Sequence, residues 1–85
     1  MYIYKKKYVI KPSKLKYKKY DVFDKKTNIK ITSFGDKRYQ QYKDKIGHYS
    51  NLNHLDKKRR ELYYKRHNKD YHEPSADFFS KKFLW

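Results

Sequence analysis

Tyr20-Asp-Val-Phe-Asp-Lys-Lys-Thr-Asn-Ile-Lys-Ile-Thr-Ser-Phe-Gly35 is the stretch that decides the fold class. Tyr20 and Val22, then Ile29 and Ile31, alternate with polar or charged neighbours, and Asp24 to Asn28 supplies turn chemistry between them. Two period-two runs around such a turn predict an antiparallel β-hairpin. The alternation puts Tyr20, Val22, Ile29 and Ile31 on one face and Phe23 and Phe34 on the other. Gly35 closes the second strand. Working outward, Asp36 is placed to cap a helix over 37–46, in which Tyr39, Tyr42 and Ile46 form a helical stripe and Gly47 stands as the stop. A second helix is predicted from Asn53 to about His67, with Asp56 in its first turn and Asn68 beyond it. Asp70 to Pro74 is a loop. Ser75 then caps a short segment bearing Phe78, Phe79 and Phe83, which folds back to cover the core, because burying each such ring is worth about 2 kcal/mol.

Upstream of the hairpin, residues 1–20 carry eight lysines and no acid, so +8 of the formal net charge of +15 sits there. Tyr2, Ile3, Tyr4, Tyr8, Val9 and Ile10 interleave with those lysines, which fits either a strand over 2–10 ended by Pro12 or a mobile basic arm. The chain thus divides into residues 1–16, a Lys/Tyr-rich arm or edge strand, and residues 17–85, one domain. Its expected class is α+β: a two-stranded antiparallel hairpin, with or without a third N-terminal strand, packed on two helices and a short aromatic C-terminal helical segment. Val22, Ile31, Phe34, Tyr42, Ile46, Leu55, Leu62, Phe79, Phe83 and Trp85 are the expected core.

Composition narrows the function. Eighty-five residues with 24 Lys+Arg against 9 Asp+Glu favour polyanionic partners, while 20% aromatic content argues against a disordered basic tail. No run of 18 apolar residues is present, and no cysteine. On a helical wheel Asp56, Arg59, Arg60, Tyr63, Arg66 and His67 fall within an arc of roughly 120° that abuts Leu55 and Leu62. That face reads in two ways. Arg59 or Arg66 makes a fork-like pair with Asp21, Asp44 or Asp77 and orients the packing, or the guanidinium groups and imidazole form a phosphate-binding face with Tyr63 as a stacking partner.

Phe34-Gly35, His54-x-Asp56-Lys-Lys-Arg-Arg60-x-x-Tyr63-x-x-Arg66-His67, Ser75-Ala-x-Phe78-Phe79-Ser80 and Leu84-Trp85 together resemble a family of small, basic, uncharacterised proteins of giant nucleocytoplasmic large DNA viruses. The resemblance spans about Lys19 to Trp85, and Asp77-Phe78 departs from the Gly-aromatic pair often seen there. It implies a viral setting, the virion or a cytoplasmic virus factory or nucleus, and carries over no catalytic residue.

Catalytic chemistry has little support. His48, His54, His67 and His72 fit no usual zinc spacing, the acids are scattered, and Gly35 and Gly47 make no phosphate loop. The expectation is a non-enzymatic protein without metal or cofactor that binds the phosphate backbone of nucleic acid, viral duplex DNA above all, with low sequence specificity. Lys5, Lys6, Lys7, Lys14, Lys16, Lys18 and Lys19 would supply diffuse charge, and Lys58, Arg59, Arg60, Tyr63, Arg66 and His67 the structured part. The other reading is a minor capsid or core protein bound to another viral protein.

Overall fold

The computed structural model describes residues 1–85. The hairpin is there, but it is half of a larger sheet. β1 (Tyr2–Tyr4), β2 (Tyr8–Pro12), β3 (Lys18–Asp24) and β4 (Lys30–Asp36) form one four-stranded antiparallel meander in the order β1-β2-β3-β4. The expected two-stranded hairpin therefore understates the sheet. Residues 2–12, expected as an arm or a single strand, are themselves a hairpin turned by Lys5 and Lys6, both at positive φ. Pro12 is tolerated because β1 reaches only to Ile10, so the ring faces no neighbour on that side.

The two helices are α1 (Lys57–Arg66) and α2 (Ala76–Phe83). Ser75 caps α2 as expected, its hydroxyl accepting from Phe78 N. α1 starts later than expected: Asp56, not Asn53, is its cap, accepting from the Lys58 and Arg59 amides. It is α2 that lies across the sheet. Tyr8, Ile10, Tyr20, Val22 and Phe34 on the sheet meet Phe79, Phe83 and Leu84, a core in which five of the eight side chains are aromatic. The Phe34 and Phe79 rings stack at 5.8 Å, and Tyr4 and Tyr8 meet Phe79 edge-on.

Phe34 thus shares a face with Tyr20 and Val22, contrary to strict alternation. A β-bulge at Val22/Phe23 pairs Val22 with Thr32 and Phe23 with Lys30, leaving Ile31 as the extra residue and shifting the phase of β4. Ile29 falls in the turn and is exposed. Of the remaining expected core, Ile31, Ile46 and Trp85 pack at its margin, Tyr42 is half-buried, and Leu55 and Leu62 face solvent.

The helix expected over 37–46 does not form. Asp44, buried, accepts from the amides of Ile46 and Tyr49 and from the Tyr20 hydroxyl, while Asn53 Oδ1 accepts from Asp44 N and Gln41 Nε2. These side chains take the backbone groups that a helix would pair internally. The result is an ordered loop, with a 3₁₀ turn at Ser50–Leu52, whose residues 43 and 45 bond the backbone at Leu84 and Phe83.

Candidate nucleic-acid interface

The meander sets the charge out in three places. At one end of the sheet the β1–β2 turn carries Lys5, Lys6 and Lys7. The Lys25 amide donates to the Lys7 carbonyl at 2.9 Å, so Lys25 and Lys26 of the β3–β4 turn stand beside them. A cleft of about 490 Å³ here is lined only by Lys6, Lys7, Asp24, Lys25 and Lys26. Asp24 is already engaged, accepting from the Lys26 and Thr27 amides, and those bonds hold its carboxyl below the usual range. Lys5 differs from its neighbours: it pairs with Glu73, which also accepts from the Tyr8 hydroxyl.

At the opposite end, Lys14 and Lys16 lie on the β2–β3 loop and Lys18 opens β3. Lys37 ties that loop down by donating to the Ser13 and Leu15 carbonyls. Arg38 forks onto Asp36 and lies 4.1 Å from the centre of the Tyr17 ring. The bonds from Arg38 hold the Asp36 carboxyl at about 2.

Lys19 belongs to neither end. It is 2% exposed, its stem crossing Gly35 and its ammonium donating to the Tyr39 carbonyl and to Gln41 Oε1. Burial pulls its pKa down, with Asp44 and Asp36 opposing. Gly35 makes the crossing feasible: it sits at φ +76°, and a Cβ there would come within 3.0 Å of Lys19 and Leu84. Lys19 is therefore a structural residue, withdrawn from any phosphate-binding surface.

α1 supplies the third place, in altered form. Tyr63 is buried, its ring parallel to Trp85 at 4.4 Å and stacked on His67 at 4.2 Å, and burial pushes its phenol up to about 12. Tyr63 is thus the anchor of α1 and offers no face to a base. His67 is half-buried and reaches the Tyr71 hydroxyl at 2.9 Å. Lys58, Arg59, Arg60 and Arg66 remain exposed. Neither structural pairing expected for the arginines occurs: Arg59 donates to Gln40 Oε1, Asp21 takes Ser33 and Lys30, and Asp44 is held by the loop. Arg60 donates to the Trp85 backbone oxygen at 2.8 Å and lies near the Tyr42 and Tyr64 rings.

Sequence reading missed the cations that join these, Lys25 and Lys26 at the turn and Lys43, Lys45, Lys81 and Lys82 around α2. The doublet in the last turn of α2, lying between the buried Phe79 and Phe83, was the available signal. Lys45 is pulled down by burial and by the like charges of Arg60, Lys82 and Lys43. No three His, Asp or Glu side chains group to hold a metal ion, and no helix is long and apolar enough to cross a membrane.

No known protein family, curated protein or solved structure matches the chain. The functional reading therefore rests on charge and geometry.

Proposed function

We propose that this protein binds the phosphate backbone of nucleic acid with little sequence preference, acting by binding rather than catalysis, and that its setting is the condensation or packaging of viral duplex DNA. The observation that carries this reading is the way the acids are used. Of 24 basic side chains, three are ion-paired: Lys5 with Glu73, Lys30 with Asp21 and Arg38 with Asp36. Asp24, Asp44 and Asp56 hold backbone amides instead. Apart from the buried Lys19, the excess cations are thereby left without an Asp or Glu partner on a fixed scaffold. Each one that meets a phosphate releases a condensed counterion, so log K should fall by about 0.9 per phosphate per decade of salt.

Fluorescence anisotropy of a labelled duplex, measured across a salt series, tests the reading. Point variants are required, because residues 2–12 supply two of the four strands. Lys6→Ala/Lys7→Ala and Arg60→Ala should each weaken binding and flatten the salt slope. Absence of binding at low salt by the wild type would end the proposal.

A protein partner within a particle is favoured by one feature. Ile3, Val9 and Phe23 pair directly across three strands on the face turned away from α2. Association through that apolar row would survive high salt, because such burial is not screened.

A further inference from the structure

Lys45, Arg60 and Lys82 gather where α1 meets the end of α2, with Lys43 close enough to add to their repulsion. None is ion-paired with an Asp or Glu side chain. Backbone oxygens hold two of them: Lys45 donates to the Lys82 carbonyl at 2.9 Å and Arg60 to Trp85. These contacts use one donor of an ammonium that has three and one of a guanidinium that has five. The cluster keeps hydrogen-bonding capacity for an anion.

Beside it lies a cleft of about 380 Å³, within the usual range for a small-ligand site. Its wall mixes two chemistries: Lys45, Lys81 and Lys82 supply charge, and Tyr64, Tyr71 and Phe78 supply aromatic surface. The walls are fixed in advance. The Tyr71 hydroxyl meets His67 Nδ1, and Lys81 donates to the His67 carbonyl at 3.2 Å, tying the 67–71 loop to α2. Asp70 is the one carboxylate in the wall, and no cation pairs with it. It is an acceptor suited to the amino group of a base, as carboxylates accept from cytosine N4.

Rigid duplex DNA gives such a recess only its phosphates, because its bases are stacked on one another. An unpaired nucleotide offers both a phosphate and a π-face. We propose that the α1–α2 cleft is a nucleotide subsite, taking one unpaired base against its tyrosines with the adjoining phosphate on Lys45, Lys82 and Arg60, so that unpaired stretches of a nucleic acid are held more tightly than its duplex. This rests on the backbone-binding reading above and names the form of strand it favours.

The test compares short oligodeoxycytidine with a duplex of equal length at one salt concentration, and uses inorganic polyphosphate as a competitor that carries charge without bases. Stacking of one base corresponds to a preference of about tenfold for the single strand. Tyr64→Leu should remove that preference by weakening the single strand more than the duplex. Lys82→Ala, at an exposed position, should weaken the single strand more than the duplex, whereas Lys14→Ala/Lys16→Ala, on the exposed β2–β3 loop, should weaken both alike. Thermal melts of each variant identify loss of folding, and Lys82→Ala carries the test if Tyr64→Leu unfolds. Equal affinity of the wild type for single strand and duplex would overturn the subsite while leaving backbone binding intact. Parallel losses for both strands in Lys82→Ala would overturn it too. Failure of oligonucleotide, duplex and polyphosphate alike to bind at low salt would overturn both readings.

Discussion

Asp44→Asn should be among the most damaging single-atom changes available in this chain. The Asp44 side chain is 4% exposed and accepts from three donors, the Tyr20 hydroxyl and the amides of Ile46 and Tyr49, the last two at 2.9 and 2.8 Å. An amide retains one oxygen and turns an NH₂ group toward the donors that Oδ2 served. The Tyr20 hydroxyl can rotate to accept, but the Tyr49 amide cannot. One buried N–H left unpaired costs about 1–3 kcal/mol, and the surviving bonds weaken because a charged acceptor has become neutral. The sum is about 3 kcal/mol. A chain of this size is held by about 4–12 kcal/mol in total, and a domain of this length loses about 4–8 °C of Tm per kcal/mol. The melting point should therefore fall by 10 °C or more, read by circular dichroism. Hydrogen exchange should also quicken at Ile46 and Tyr49. Asp24→Asn, on an exposed turn, is the control. If Asp44→Asn melts within 2 °C of the wild type, or alongside that control, the claim that Asp44 organises the 41–54 loop is wrong.

Three further outcomes are expected. Gly35→Ala should destabilise by about 2 kcal/mol or more in a denaturant titration, since the left-handed backbone alone costs an alanine about 1–2 kcal/mol and the new methyl would crowd Lys19 and Leu84. Lys19→Met should change how stability depends on pH. Burial lowers the folded pKa of Lys19 below 10.5, so the unfolded chain binds more protons between the two values and the wild type gains stability over the variant as pH rises toward 10.5. The opposite sign holds for Tyr20, Tyr49 and Tyr63, whose phenols burial pushes above 10. They stay protonated when folded, so stability should fall as pH climbs past 10, and the share of the tyrosinate absorbance that belongs to these three of the eleven tyrosines should appear only with unfolding.

How far the sequence announced this structure varies by element. The β3–β4 hairpin was legible because alternation and turn chemistry are local signals, and the Ser75 cap with the aromatic α2 for the same reason. The phase of β4 was not, since a single bulge at Val22/Phe23 reverses the parity that the alternation assumes. The strands of residues 2–12 were half legible: Tyr2 to Ile10 fitted a single strand or an arm, while the turn that makes them a hairpin is formed by Lys5 and Lys6, which carry no turn signature. The stripe Tyr39–Tyr42–Ile46 has helical spacing, yet Asp44 and Asn53 bind its backbone, and that competition depends on Tyr20 and Gln41 arriving from elsewhere in the chain. In the candidate interface, the positive face of α1 was readable from the wheel, although Tyr63 turned out to be its anchor. The partners that make a recess beside it, Lys45 and the α2 lysines, come together only in three dimensions.

The entombed ammonium of Lys19 also gives the molecule an internal gauge. Amine-reactive reagents will acylate the solvent-facing lysines of the folded protein quickly, whereas Lys19 becomes reactive only when the β3–β4 region parts from the chain that crosses it. Mass spectrometry of that one peptide would count openings of the native state against an abundance of neighbouring lysines as reference. A nucleic acid that clamps the exterior would protect many amines at once, while leaving Lys19 to report whether the interior has been held shut.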